Sequence, residues 1–129
     1  MAKKIVTKKP KTIITTGNGK VFVSTTFNNT IVTITNEKGD AIAWSSSGNA
    51  GFKGTRKSTP FAATSAVEEA IKKAKEVGVN NVEVFIKGPG VGRDAALRAV
   101  RNSGLSISMI ADVTPIPHNG PRVKKKRRA

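Results

Sequence analysis

The chain has 129 residues, with 23 Lys and Arg against eight Asp and Glu, a net charge of +15; the length suits one domain. An excess that large says little about fold but selects polyanionic partners, nucleic acid ahead of acidic membrane surfaces. No Cys is present for a disulfide or thiolate metal site, the one His cannot build a histidine zinc cluster, and no apolar run approaches the ~20 residues that span a bilayer.

Residues 1–20 carry six Lys and no acid, and residues 113–129 carry six Lys or Arg and no acid. Residues 21–112 hold the other 11 bases and all eight acids, so +12 of the +15 lies at the two ends. Acid-free blocks of this kind are expected as disordered arms that neutralise phosphates. The expected organisation is a basic N-terminal arm (residues 1–12), an α/β RNA-binding domain (13–113) and a basic C-terminal tail containing Pro and Gly (114–129). Ile13-Ile14 is too short for a signal-peptide core, so a soluble cytosolic protein is expected.

Residues 20–46 read as three antiparallel strands. Val21, Val23 and Phe27 alternate with Phe22, Ser24 and Thr26, and Asn28-Asn29 supplies a tight turn. Residues 30–35 are all β-branched, which suits a pleated sheet. After a turn at 36–40, residues 41–45 form the third strand, with Ile42 and Trp44 on one face. The aromatics as a group read as mostly core.

The composition then shifts. Residues 45–59 are rich in Ser, Gly, Asn and Thr and carry no acid. Asn49, Phe52, Lys53, Arg56 and Lys57 are candidate RNA contacts here, with glycines letting the backbone approach phosphate. Ser58 or Thr59 caps a helix with Pro60 in its first turn. Ala63, Ala66, Val67, Ala70, Ile71, Ala74 and Val77 form its apolar stripe, and Gly78 ends it. Glu68–Lys72 and Glu69–Lys73 read as surface pairs four residues apart.

Residues 82–87 form a strand, 88–92 a glycine turn, 94–103 a second helix and 107–113 a last strand. The whole predicts a mixed five-stranded sheet, an antiparallel meander followed by βαβαβ, with two main helices packed on it. Lys87, Gly88, Gly90, Gly92 and Arg93 place free amides and cations at a helix N-terminus, a phosphate-binding arrangement. Arg98 and Arg101 follow on the helix. The turn departs from a dinucleotide fingerprint, because Arg93 stands where a third glycine would fall.

The order of elements resembles the ribonuclease H fold, but the first strand has no acid and the paired carboxylates of two-metal chemistry are missing. His118 stands alone in a Pro-rich basic segment and reads as a polar contact rather than a general base. The chain is therefore expected to be no enzyme, with no cofactor, metal or small-molecule substrate. In the tail His118, Asn119, Arg122, Lys124, Lys125, Lys126, Arg127 and Arg128 are candidate RNA contacts.

Several runs identify a resemblance: NNTIVTIT at 28–35, WSSSG at 44–48, GFKGTRKSTPFAA at 51–63, KGPGVGR at 87–93 and LSISMIADVTPIPHNG at 105–120. Together they resemble the bacterial small-subunit ribosomal protein S-eleven family over residues 12–129. After Gly120 the family often shows Cys and a Pro pair, where this chain has Pro121, Arg122, Val123 and Lys124. The resemblance implies a structural protein on the platform of the small subunit that bridges helices of its rRNA. It implies the proteins S-seven and S-eighteen as neighbours, and messenger RNA close by at the exit cleft. Read from charge alone, a free-standing architectural DNA-binding protein is the alternative.

Overall fold

The structure, a computed structural model, describes residues 17–128. The expected N-terminal arm, residues 1–12, lies outside the described residues.

Five strands form one mixed sheet: β1 (Asn18–Thr25), β2 (Thr30–Asn36), β3 (Ala41–Ser46), β4 (Asn81–Lys87) and β5 (Ser106–Asp112), in the order β3-β2-β1-β4-β5. β1, β2 and β3 are the antiparallel meander, and β4 and β5 continue from β1 in parallel. Helix α1 (Pro60–Val77) joins β3 to β4, and α2 (Gly92–Asn102) joins β4 to β5. Both crossovers travel the same way across the sheet, so a common hand puts both helices on one face. α1 packs on β2, β3 and α2, while α2 reaches β1.

That face holds the core. Register aligns Ile34, Val21 and Val84 across β2, β1 and β4, and each is fully buried. α1 meets them with Ala66, Val67, Ala70, Ile71 and Ala74. Its alanines let the helix axis sit close to the strands, and branched side chains fill the remaining space. The start of α1 is set as its sequence indicates. Thr59 Oγ1 accepts from Ala62 N at 3.2 Å, and Pro60 takes the first helical position. Gly78, at φ 109°, closes it in the left-handed region, which glycine enters without steric cost.

The aromatics depart from expectation. Phe27 is 73% exposed in the β1–β2 turn and Phe61 is 70% exposed on the first turn of α1. Phe22 and Trp44 are exposed as well. The reason is architectural: helices cover only one sheet face, and these rings lie on the other face or at turns. The expected Glu69–Lys73 pairing is also replaced. Glu69 instead accepts from Ser45 Oγ and Asn49 Nδ2, and Lys73 reaches the carbonyl and ring of Trp44. Residues 113–128 carry no helix or strand and are exposed apart from half-buried Thr114.

Candidate nucleic-acid interface

The parallel strands β1, β3, β4 and β5 all finish at one end of the sheet, where both helices begin. Backbone bonds tie the loops there together. Ser47 N donates to Thr30 O and Phe52 N to Ser47 O, both near 3.0–3.1 Å. The segment after β3 is thereby folded back over the start of β2, and it continues into a short 3-10 helix, Gly54–Ser58. Lys53 and Arg56 on this segment are exposed and Lys57 is half-buried. Phe52 packs edge-on against Phe61, with ring centroids 5.6 Å apart. This end thus combines three cations with exposed aromatic surface and no acid in residues 45–59. Asn49 beside it is held rather than free, its amide bonded to Glu69 and Ser45.

The glycine turn meets the same end, but its glycines face inward. A Cβ on Gly88 would stand 1.9 Å from Thr25 O, and one on Gly90 2.4 Å from Thr26 O. On Gly92 it would stand 2.6 Å from Thr30 Oγ1 and 2.8 Å from Ala63 Cβ. The three positions therefore lack side chains so that the turn can dock against the β1–β2 turn and α1. Two amides expected to face phosphate are also used internally. Gly88 N donates to Thr114 Oγ1 and Gly90 N to Thr25 Oγ1, each at 3.1 Å.

Arg93 is engaged as well. Its Nη1 donates to Gly88 O at 2.6 Å and its Nη2 to Asp112 Oδ2 at 2.6 Å. Asp112 also accepts from the hydroxyl and amide of Thr114. These two bonds, and then the Arg93 guanidinium, hold its carboxyl down from 3.8 to about 2. The cluster anchors the chain where it leaves β5, so the basic tail departs from a fixed point at the same end of the sheet as the basic loop, from the opposite edge strand. Lys87, the last residue of β4, is exposed at this end.

The remaining candidates are spread out. Arg98 and Arg101 are exposed further along α2, where they line a groove of about 310 Å³ with Leu97 and Ile110. At 1.5 Å of rise per residue, Arg101 is about 12 Å along the axis from Arg93. His118, Asn119, Arg122, Lys124, Lys125, Lys126, Arg127 and Arg128 are all exposed on the tail. A cavity of about 420 Å³ at the opposite end of the sheet is lined by Asn18, Lys20, Glu37, Glu83 and neighbouring residues. It has none of the cation excess of the loop end.

Phe27 and Phe61 lie outside the candidate residues, and both carry a signal in the sequence. Phe27 directly precedes the Asn28-Asn29 turn. Phe61 lies ~200° around the helix from Ala63, off the apolar stripe.

The family described as ribosomal protein S11 matches residues 19–128. The small ribosomal subunit protein uS11 of Christiangramia forsetii is 50% identical over 125 residues, covering 97% of this chain and 94% of that protein. Those of Borreliella burgdorferi and Borreliella afzelii are 54% identical over 112 residues, covering 87% of this chain and 86% of each relative. These relatives are named as ribosomal proteins, not as enzymes. A match running from β1 through the basic tail, joined to relatives of this identity and coverage, shows that the chain belongs to the ribosomal protein S11 family.

Proposed function

We propose that the chain is a structural constituent of the small ribosomal subunit, bound in the cytoplasm to small-subunit rRNA through the loop end of its sheet and its basic tail. The observation that carries this reading is the convergence of Lys53, Arg56 and Lys57, exposed Phe61 and the anchored root of the tail at that one end. A folded body with two separate cationic contacts suits joining separate rRNA helices on the platform, close to the path of messenger RNA and to the proteins S-seven and S-eighteen. Phosphate contacts fix position without reading sequence, and flexible cations reach them at little cost in fold. Arg98 and Arg101 give a further contact along α2. Within this reading Arg93 and the glycines act by shaping the surface, since the Arg93 guanidinium and the Gly88 and Gly90 amides already have partners in the protein.

The test is incorporation. A variant with Lys53, Arg56 and Lys57 all changed to Ala is expected to fold normally and to enter small subunits poorly in competition with the unaltered chain. Equal incorporation would overturn the proposed contact. Sedimentation of the protein with the nucleoid rather than with small subunits would overturn the function itself.

A further inference from the structure

Side chains pin the basic loop to α1 at two points, and one of the pins is an acid. Asn49 Nδ2 donates to both oxygens of Glu69, each at 3.2 Å, and to Ser45 Oγ at 3.4 Å. Ser45 Oγ in turn donates to Glu69 Oε2 at 3.3 Å. The directions are consistent: the amide donates, the hydroxyl accepts from it and donates onward, and the carboxylate only accepts. The second pin is Phe52 against Phe61. Glu69 lies just over two turns beyond Phe61 on α1, about 12 Å along the axis. Between the pins the turn is closed by its own bonds, Asn49 N to Ser46 Oγ, Ala50 N to Ser46 O and Gly51 N to Gly48 O. It therefore moves as a unit, and holding Asn49 orients all of it. It also stands clear of the body, since a Cβ on Gly51 or Gly54 would meet nothing within 4 Å.

We propose that Glu69 is a positioning residue for RNA binding: with Ser45 it clasps Asn49 and holds the loop in the arrangement that carries Lys53, Arg56 and Lys57 to phosphate. This rests on the reading that those three cations contact rRNA. The helix itself does not need the contact, because Ala66, Val67, Ala70 and Ile71 already bury it against the sheet. What the contact fixes is the loop. Lys53 follows Phe52 directly, so the run of cations starts from a pinned residue. A loop ordered in advance loses less conformational freedom when RNA binds. Asn49 then acts through the loop and not as an RNA contact of its own. Charge makes the inference distinctive. Removing an acid from a chain of +15 should by electrostatics alone strengthen binding to a polyanion. The clasp requires the reverse.

The experiment measures the affinity of the full chain for isolated small-subunit rRNA, on protein shown to be folded by its melting transition. Glu69→Ala is expected to weaken binding about tenfold, the scale of hydrogen bonds lost to a charged group, although it raises the net charge. Glu69→Gln keeps an acceptor for Asn49 and should recover binding to within roughly threefold, as neutral hydrogen bonds are weaker than charged ones. In the chain with Lys53, Arg56 and Lys57 all changed to Ala, Glu69→Ala should have no further effect, since the clasp acts only through those cations. Unchanged or tighter binding by Glu69→Ala, beside a weakened triple-Ala chain, would overturn the clasp alone. An equal loss in both backgrounds would overturn it as well. Undiminished binding by the triple-Ala chain would overturn the RNA contact and this inference with it. If Glu69→Ala does not fold, Asn49→Ala carries the same test, with a loss expected in the unaltered background and none in the triple-Ala chain. A loss in both would make Asn49 a direct RNA contact and overturn the proposal.

Discussion

Arg93 and Asp112 join the start of α2 to the end of β5, with Nη2 and Oδ2 2.6 Å apart. Neither is deeply buried: the side chains are 31% and 54% exposed. The pair works through geometry more than through ionic strength of attraction, because exposed ion pairs are screened by solvent. Arg93 also grips Gly88 O, and Thr114 links Asp112 to Gly88 N. One guanidinium thus connects the glycine turn, the second helix and the root of the basic tail.

The linkage has a pH signature. Asp112 is lowered to about 2 in the folded chain from an ordinary 3.8, so ionised Asp112 favours the fold. Its contribution is fully present above about pH 4 and is lost as pH falls from there through about 2. The expected observation is an NMR titration of the Asp112 carboxyl with its midpoint near 2. In Thr114→Val and in Arg93→Ala the midpoint should move up towards 3.8, since each change removes a donor. A wild-type midpoint near 4 would show that the cluster is not formed in solution.

The glycine turn gives a sharper steric expectation. Gly92→Ala puts a methyl 2.6 Å from Thr30 Oγ1 and 2.8 Å from Ala63 Cβ, inside ordinary van der Waals contact. Overpacking of a buried site costs about 1–3 kcal/mol. Gly39→Ala meets nothing within 4 Å, so its cost comes from its φ of 99° and leaves packing alone. Thermal unfolding should therefore show a lower midpoint for both variants. Only Gly92→Ala should perturb the amide signals of Thr30 and Ala63. Unperturbed signals there would mean that the turn does not dock as described.

Such contacts bound what could be read from the sequence. Thr59, Pro60, the alanine stripe and Gly78 defined α1 because capping and the 3.6-residue period are local. The mixed sheet followed from the order of elements. Period-two patterning in β1 and β3 showed that one face was apolar but not whether anything would cover the other. By that pattern Phe22 and Trp44 belong with the core, yet both helices lie on the opposite side and leave them exposed. Similarly, three glycines show that something approaches the backbone closely. That the neighbour is Thr25, Thr26 and Ala63 depends on chain segments far away in sequence. The tail root was hidden for the same reason, since Arg93, Asp112 and Thr114 meet only in the folded chain.

At the loop end, affinity and stability should separate. Lys53 and Arg56 are exposed, Lys57 is half-buried, and the N-terminus of α1 is capped by the side chain of Thr59 rather than by any of the three. Replacing all three with Ala should change stability by under about 0.5 kcal/mol per exposed site. Binding to small-subunit rRNA should nevertheless weaken, with a shallower salt dependence. A variant that loses its fold, or that binds with undiminished affinity, would remove these residues from the interface.

The tail provides the largest expected electrostatic effect. Residues 121–129 carry Arg122, Lys124, Lys125, Lys126, Arg127 and Arg128 with no acid among them. All six side chains are exposed, so binding RNA requires little desolvation of the protein. Each phosphate neutralised releases condensed counterions and adds roughly 0.7–0.9 to the slope of log affinity against log salt. If all six engage, removing residues 121–129 should reduce the slope by about 4–5. The body should be unaffected, because regular structure ends at Asp112 and the anchoring contacts of Thr114 are retained. Affinity should consequently fall most at low salt, and the truncated and full chains should converge as salt rises. Phosphate contacts carry no base information, so the loss should be similar for rRNA and for an unrelated RNA of equal length. An unchanged slope with a uniformly weaker affinity would show that the tail contributes by a specific contact instead of by counterion release.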